Sequence, residues 1–239
     1  MQSHVGVASA AGTLPDVATT GNSYNVVIRA CIPNQSTGRT MTDTYDLAIV
    51  GGGPAGASAA IFAARAGLRT VVLDADKGMT RRALLNNLLG FPEGITGPEL
   101  VERGQQHARR AGAEWVTTDV TALQPAGETV RLSTADGRTF EASQVLLTTG
   151  ASVALAQAAG VATRPATEPR MKEAIVRDDQ GRTNVPGVWA AGAAAGVSVH
   201  VIVTAGDATR VVINLISARK GQRHVDHDVL PAPTAPASS

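Results

Sequence analysis

Glycines with a fixed spacing stand in the segment GGGPAG, and the chemistry that this spacing serves is phosphate binding. They are Gly51, Gly53 and Gly56, with Pro54 and Ala55 between the last two. In this pattern the first glycine allows a tight turn, the second lets the backbone approach a pyrophosphate, and the third packs a helix closely against a strand. The helix that begins after the turn presents free N–H groups to the phosphate charge. The spacing therefore predicts a dinucleotide site.

An acidic residue follows at the distance that such a site requires. Asp74 ends the next apolar run, about 20 residues after the glycines, and Ala75 follows it. A carboxylate at this position accepts hydrogen bonds from an adenosine ribose and repels a 2′-phosphate. The glycines and the acid together indicate dinucleotide binding, but they do not distinguish one dinucleotide from another.

Alternating strand and helix signals surround these residues. Short runs of apolar and β-branched residues predict strands at 45–50, 70–73, 114–120, 144–148 and 188–191. Amphipathic segments predict helices at 54–66, at 96–113, and from about 198 to 218 with an end near Gly221. The turn Asp136-Gly137 lies between alternating strands and predicts a hairpin within a β-meander. Because strands joined by helices pair in parallel, we expect an α/β fold: a single Rossmann-like domain with a central parallel sheet and a β-meander.

The two ends of the chain differ in composition from its middle. Residues 1–42 are rich in Ser, Thr, Ala and Gly without a sustained period, so we expect a disordered N-terminal arm. The run from Met41 is typical of a natural start, and the residues before it are therefore interpreted as a start-site artefact. Residues 43–223 form the expected domain, and the Pro, Ala and Ser content of 224–239 predicts a flexible tail.

Composition limits the classes of function. The 239 residues carry a formal net charge of +1 with mixed signs, and 3% of them are aromatic, which argues against a nucleic-acid surface. No uninterrupted apolar run approaches the roughly 20 residues needed to cross a bilayer, so we expect a cytoplasmic protein that does not bind membranes. Cys31 is the single cysteine, which excludes a redox dithiol and a cysteine-based zinc site within this sequence.

Four segments in order resemble the FAD domain of the low-molecular-weight thioredoxin reductase family, part of the pyridine nucleotide-disulfide oxidoreductase superfamily. The resemblance covers nearly all of the chain from Thr44 to Gly221. The segments are YDLAIVGGGPAGASAAIFAARAGLRTVVLDAD, LLNNLLGFPEGITGPELVERGQQHARRAGAEW, LLTTGAS and GRTNVPGVWAAG. The resemblance implies FAD as the cofactor and a Rossmann-like FAD-binding domain at 43–223.

The resemblance also implies roles for particular residues. The glycine turn would hold the pyrophosphate, Asp74 the adenosine ribose, and Asn87 the flavin. The backbone at Val120 would meet the adenine, and the last helix would begin beside the pyrimidine edge of the flavin. The cofactor-binding positions implied in this way are Gly51, Gly53, Pro54, Ala55, Gly56, Asp74, Ala75, Asn87, Val120, Thr149, Gly150, Ala151, Gly192, Ala193 and Val201.

Two departures from the family pattern concern function. The family carries a pyridine-nucleotide domain with a Cys-x-x-Cys pair after the TGA segment, whereas residues 151–186 alone separate the two halves here. That is shorter than the smallest usual domain of roughly 50 residues, so no resident NADPH site or thiol relay is expected. Ala193 stands where the family has an acidic residue near the ribityl chain. Its loss should weaken FAD binding without abolishing it.

Few other residues suggest chemistry. His200 lies near the start of the last helix and is the candidate for hydrogen bonding to the flavin ring or for proton donation, unless it merely caps the helix. Arg81 and Arg82 could contact phosphate or substrate, or simply face solvent. The segment HVDHD at 224–228 has metal-ligand residue types but equally fits a surface segment or a dimer contact, so no metal is expected.

Three functions remain open at this point. The first is a small FAD-dependent oxidoreductase, reduced by a diffusible donor or a partner reductase, that passes electrons to an unidentified small-molecule or protein acceptor. The second is a non-catalytic FAD-binding or sensing module. The third is direct NAD(H) binding at the glycine turn without flavin. Related FAD domains commonly pair, which allows a homodimer.

Overall fold

The chain forms strands and helices in the predicted alternating order. The structure is a computed structural model that describes residues 44–230, so the expected arm at 1–42 and Cys31 lie outside the described residues. Its strands are β1 (Tyr45–Val50), β2 (Thr70–Asp74), β3 (Leu84–Leu85), β4 (Ile95–Thr96), β5 (Glu114–Thr117), β6 (Val120–Ala126), β7 (Thr129–Thr134), β8 (Thr139–Leu147), β9 (Thr163–Pro165), β10 (Glu173–Ile175) and β11 (Val188–Ala190). Its α-helices are α1 (Pro54–Arg65), α2 (Gly97–Ala111), α3 (Ala154–Ala158) and α4 (Val201–Lys220).

Seven strands form the central sheet. Along the sheet the order is β5-β2-β1-β8-β7-β6, and β11 also pairs with β8. The pairs among β5, β2, β1, β8 and β11 are parallel, whereas β6, β7 and the first part of β8 form an antiparallel meander. The predicted α/β class, with its central parallel sheet and its meander, is confirmed.

Strand β8 belongs to both parts of the sheet. Its residues 139–142 pair with β7, and its residues 145–147 pair with β11. Its other edge pairs with β1, where Val50 lies opposite Leu147. The sequence predicted only 144–148 as a strand, because the first half of β8 is partly exposed and lacks a continuous apolar run. Through β8 the carboxyl ends of the parallel strands meet at one edge, where open α/β sheets bind ligands.

Each face of the sheet has its own apolar cluster. On one face α1 and α4 pack against Leu47, Ile49 and Leu146, and alanines without exposed surface let α1 approach closely. On the other face the meander covers Val71, Leu73 and other side chains of the parallel strands. Among the described residues α4 alone has the length and apolar composition of a membrane-spanning helix, but its buried side chains belong to the first cluster, as in the core helix of a globular domain.

The segment after α4 contacts the start of the domain. Arg65 at the end of α1 donates hydrogen bonds of 2.8 Å to Asp226 and to Asp228, and its bonds to Asp226 lower the pKa of that carboxyl. The backbone N–H of His224 donates to Ser217 at 3.0 Å, and burial lowers the pKa of the His224 imidazole. The carboxylates of HVDHD therefore bind an arginine, and residues 44–230 contain no cluster of three or more acidic, His or Cys side chains that could hold a metal.

The turn between β7 and β8 is fixed by Asp136. Its carboxylate accepts hydrogen bonds from Thr134 at 2.5 Å, from Thr118 at 3.0 Å and from the Arg138 guanidinium at 2.5 Å. The Arg138 bond contributes most and the Thr134 bond next to a pKa of Asp136 well below its usual range. Since Thr118 follows β5, Asp136 joins the hairpin to the loop beside the parallel strands.

We predict that Asp136→Asn lowers the melting temperature at neutral pH, because the amide cannot accept the same set of bonds. A lowered folded-state pKa means that the stabilisation is complete above the ordinary pKa of 3.8 and decreases as the pH falls below it. The difference in free energy of unfolding between wild type and variant should therefore shrink in urea titrations below that pH. Asp228→Asn, which removes an 85% exposed carboxylate from one surface ion pair, is the control. A difference that stays constant with pH would contradict this.

Candidate cofactor site

A cavity of about 690 Å³ opens at the carboxyl edge of the parallel strands. Its volume lies in the usual range for small-molecule and cofactor sites, roughly 300–1,000 Å³. Its walls come from the loops after β1, β2, β5 and β8 and from the segment between β11 and α4. Eleven of the predicted cofactor positions line it: Gly51, Gly53, Pro54, Ala55, Asp74, Ala75, Val120, Thr149, Gly150, Ala151 and Ala193.

The turn from β1 into α1 is closely packed at two of its glycines. Gly51 has a φ of +101°, and a Cβ there would lie 2.5 Å from the carbonyl oxygen of Thr148. A Cβ at Gly56 would lie 1.9 Å from the carbonyl oxygen of Gly51. The Thr148 hydroxyl donates to the Gly51 carbonyl at 2.8 Å. Gly56 does not line the cavity, so its role in this structure is packing of the helix on the turn, as the glycine pattern predicts.

Gly53 differs from these two glycines. Its φ is −67°, which any residue adopts, and no atom lies within 4 Å of the position that its Cβ would take. Neither the backbone nor a neighbouring side chain therefore requires glycine there. Gly53 is one of the residues that line the cavity. Glycine at an unconstrained, cavity-facing position is explained by a ligand that approaches the backbone closely.

The first turn of α1 provides donors beside that space. Helix geometry leaves its first N–H groups without intrahelical acceptors, and among the described residues no side chain caps them. Pro54 occupies the first helical position, where its missing N–H costs nothing. Since the helix dipole adds a partial positive charge at this end, the arrangement fits the pyrophosphate of a dinucleotide.

Asp74, at the end of β2, is fixed by a hydrogen bond to the turn between β1 and α1. Its Oδ1 accepts a hydrogen bond of 2.9 Å from the N–H of Gly52. A Cβ at Gly52 would lie 2.8 Å from Oδ2 of Asp74 and 2.2 Å from the ring of Trp115, so only glycine fits between them. No second hydrogen bond to this carboxylate occurs within residues 44–230. Oδ2 is thus available for a hydroxyl group of a bound ribose.

Ala193 belongs to the wall formed by a short 3-10 helix, Gly192–Ala195. It is 7% exposed and lines the cavity together with Thr204 from α4. Gly192 itself does not line the cavity. Its φ is +71°, a Cβ there would lie 2.9 Å from Cβ of Ala55, and its N–H donates to Asp207 at 2.8 Å.

Three further candidates lie away from the cavity wall. Asn87 is exposed in the bend after β3. His200 is the exposed N-cap residue of α4, and its Nδ1 lies 2.7 Å from Oγ of Ser198. Val201 is half-buried in the first turn of the same helix. Because Val199 lines the cavity, His200 and Val201 lie near its mouth, and their contacts with a cofactor remain predictions.

The structure adds wall residues that sequence reasoning missed. The ion pair between Lys77 and Asp119, 2.8 Å long, joins the loops after β2 and β5. Arg81 pairs with Asp76 instead of facing the cavity, and Arg82 is exposed. These residues could have been predicted from their position, because residues that directly follow parallel strands lie at the edge of the sheet where ligands bind. The additional wall residues include Lys77, Gly78, Met79, Thr80, Thr118, Asp119, Thr121, Ser152, Leu155, Val199 and Thr204.

Comparisons with known proteins agree with this geometry. Residues 45–171 and 92–211 match the family described as pyridine nucleotide-disulphide oxidoreductase. The bifunctional thioredoxin reductase/thioredoxin of Mycobacterium leprae is 37% identical over 119 residues, and the thioredoxin reductase of Streptomyces coelicolor is 36% identical over 114 residues. These alignments cover 48% and 46% of this chain, but only 26% and 35% of the two relatives.

Solved structures show the same fold. The atypical thioredoxin reductase TRi of Desulfovibrio vulgaris Hildenborough aligns with a TM-score of 0.66 at 21% identity, covering 74% of this chain and 99% of that one. A thioredoxin reductase of Gloeobacter violaceus aligns with a TM-score of 0.63 at 18% identity, covering 78% and 99%. The chain belongs to the pyridine nucleotide-disulphide oxidoreductase family. The predicted resemblance to thioredoxin reductases is confirmed, and so is FAD as the cofactor of this family. The residues that contact FAD in this chain remain predictions.

We predict that Gly53→Ala lowers FAD affinity by about tenfold or more, because its methyl group would enter the space beside the first turn of α1. The melting temperature of the apoprotein should change little, since nothing contacts the new Cβ. Gly56→Ala should instead lower the melting temperature by several degrees, because its Cβ would collide with the Gly51 carbonyl. Titration of each apoprotein with FAD and thermal denaturation measure both effects. Unchanged FAD binding in Gly53→Ala would show that the pyrophosphate does not lie there.

Proposed function

We propose that this protein is a small FAD-dependent oxidoreductase whose electrons come from a diffusible donor or from a partner protein. The observation that carries the proposal is Gly53, which leaves open the space that a pyrophosphate needs beside the start of α1. The Asp74 carboxylate supports the proposal, because its Oδ1 binds the N–H of Gly52 and its Oδ2 can accept a hydrogen bond from a ribose hydroxyl. Membership of the oxidoreductase family supports redox chemistry over binding of nucleotide alone.

Each wall of the cavity has a distinct task in this proposal. The N-terminus of α1 binds the pyrophosphate, and the loop between β5 and β6 accommodates the adenine beside Val120. The loop from Thr149 to Ala151 and the wall at Ala193 enclose the flavin half. FAD supplies the electron-transfer chemistry. His200 at the start of α4 is the candidate to hold or donate a proton at the cavity mouth.

The source of electrons follows from the connection between β8 and β11. This connection, 148–187, holds a short helix and a two-stranded hairpin, and no second glycine pattern of the first kind occurs in it. The sequence contains a single cysteine, so no dithiol can relay electrons within it. The names of the relatives make pyridine nucleotides and dithiol proteins such as thioredoxin the first donors and acceptors to test.

The short connection between β8 and β11 also favours a second candidate, a non-catalytic FAD-binding or sensing module. A protein that retains the cofactor cavity but has neither an inserted nucleotide domain nor a dithiol fits this role. A cytoplasmic location and a homodimer belong to both versions of the proposal. The two versions differ in one property, which is whether the bound FAD exchanges electrons.

We predict that NADPH reduces the bound FAD slowly and without saturation, because the connection between β8 and β11 carries no second glycine pattern that could concentrate it. Anaerobic titration with NADPH, NADH, dithiothreitol and reduced thioredoxin, followed by the visible absorbance of FAD, measures this. Reduction by one donor supports the oxidoreductase, and failure with all of them supports the binding module. Fast, saturating reduction by NADPH would contradict the reasoning from the short connection.

We predict that Ala193→Asp tightens FAD binding. A charged acceptor beside a ribityl hydroxyl contributes about 1.5–3 kcal/mol, which corresponds to roughly a 10- to 100-fold change in dissociation constant, less the cost of desolvating the new carboxylate. Affinity for ADP should hardly change, because ADP lacks the ribityl chain. Titrations of both apoproteins with FAD and ADP decide the matter. Weaker FAD binding in the variant would mean that the wall at Ala193 has no room for an acceptor.

A further inference from the structure

A largely buried ion pair lies next to the turn that carries Ala193. Arg177 and Asp207 are 2.8 Å apart, with side chains 12% and 9% exposed. Asp207 lies on α4, one turn after Thr204, which lines the cavity. Arg177 belongs to the connection between β8 and β11. Neither side chain lines the cofactor cavity itself.

Both partners also bind the backbone where β11 passes into the 3-10 helix. Nη1 of Arg177 donates to the carbonyl oxygen of Ala190 at 3.1 Å. Oδ2 of Asp207 accepts from the N–H of Gly192 at 2.8 Å, while its Oδ1 accepts from Arg177. The pair therefore fixes two backbone groups, one on each side of Ala191. Ala193, which faces the cofactor cavity, follows directly.

Among the described residues, Arg177 and Asp207 provide the side-chain hydrogen bonds to this turn. Ala191 and Ala193 to Ala195 contribute only buried methyl groups, and Gly192 has a φ of +71°, which glycine adopts without strain. Other restraints on the turn are the burial of these alanines and backbone hydrogen bonds. The N–H groups of Ala190 and Ala191 donate at 3.0 Å to the carbonyl oxygens of Gly181 and Leu147, and the N–H of Gly196 donates to Ala193 at 2.8 Å. Charge-assisted hydrogen bonds are stronger than those between neutral groups. The pair therefore adds strong bonds to the backbone on both sides of Ala191.

We propose that Arg177 and Asp207 are positioning residues for the flavin half of the cofactor. They act through the backbone of residues 190–192, holding the wall at Ala193 at the distance that the ribityl chain requires. Ala193 itself has no carboxylate that could bind the ribityl chain, so the position of the wall depends on these two neighbours. The proposal rests on FAD binding in the cavity and adds residues to that site.

Arg210 provides a matched control. Its Nη2 donates to the same Oδ1 of Asp207 at 3.1 Å, and its Nη1 donates to the carbonyl oxygen of Asp179 at 2.5 Å. Its side chain is 44% exposed. Arg210 does not bond to Ala190, so it shares the ion pair but not the contact with the turn. Removal of either arginine takes one charge from Asp207, and only removal of Arg177 frees the Ala190 carbonyl.

The experiment compares Arg177→Ala, Arg210→Ala, Asp207→Asn and wild type, each purified as the full chain and stripped of flavin. Titrations with FAD and with ADP and the visible spectrum of bound FAD are the readouts. We expect Arg177→Ala to weaken FAD binding by about tenfold, to leave ADP affinity unchanged and to shift the flavin absorbance bands. Arg210→Ala should match wild type in all three. Asp207→Asn keeps an acceptor for the Gly192 N–H and should show an intermediate loss of FAD affinity.

Other outcomes overturn the proposal. Equal losses of FAD and ADP affinity in Arg177→Ala, or equal effects of Arg177→Ala and Arg210→Ala, would show that the pair only stabilises the fold. A lowered melting temperature with an unchanged ratio of FAD to ADP affinity and an unchanged spectrum would show the same. If Arg177→Ala does not fold, Asp207→Asn carries the comparison by itself. Wild-type protein that binds ADP but no FAD would instead refute the flavin site on which the proposal rests.

Discussion

The close approach of the Gly51 carbonyl to Gly56 and Thr148 is the interaction on which the rest of the structure depends. The Thr148 hydroxyl donates to the carbonyl oxygens of Val50 and Gly51, at 3.0 and 2.8 Å, and so joins the end of β8 to the end of β1. A Cβ at Gly56 would push the Gly51 carbonyl out of this position. Because the same turn sets the direction of α1, it determines where the free N–H groups of that helix point. The edge of the sheet and the N-terminus of α1 are therefore held in place by the same packing contacts.

Much of this fold follows from local sequence patterns. The apolar runs at 45–50 and 70–73 are buried strands because nearly all of their side chains are apolar, and α1 follows a glycine turn with proline at its first position. The helix predicted to end near Gly221 does so, with that glycine in the left-handed conformation. The two-residue and three-residue strands β3, β4, β9 and β10 were not predicted. Such short strands have no period of their own, and contacts with the rest of the chain decide where they form.

The residues of the candidate site also fall into a group that local sequence predicts and a group that it does not. The places of Gly51, Gly53 and Asp74 in the cavity wall could be predicted, because they depend on backbone geometry within one strand-helix-strand unit. Thr118 and Thr204 could not, since their places in the cavity wall depend on which distant loops meet. The pairing of Arg177 with Asp207 spans thirty positions and has no local signal. Sequence reasoning also grouped Gly192 with Ala193 as cofactor contacts, whereas the structure turns the Gly192 N–H toward Asp207 and leaves the Ala193 side chain in the cavity wall.

The connection between β8 and β11 packs as an integral part of the domain. Val161 and Ile175 join the apolar cluster under the meander, at 3% and 1% exposure. The Asn184 side chain accepts from the N–H of Ala162 at 2.8 Å and donates to the carbonyl oxygen of Gly160 at 2.9 Å, which joins the segment before β11 to the segment between α3 and β9. These contacts pack the connection against the sheet, and Arg177 within it reaches the turn at Ala190. The connection between β8 and β11 is therefore part of the core of the domain, and the cofactor cavity forms with this short connection in place.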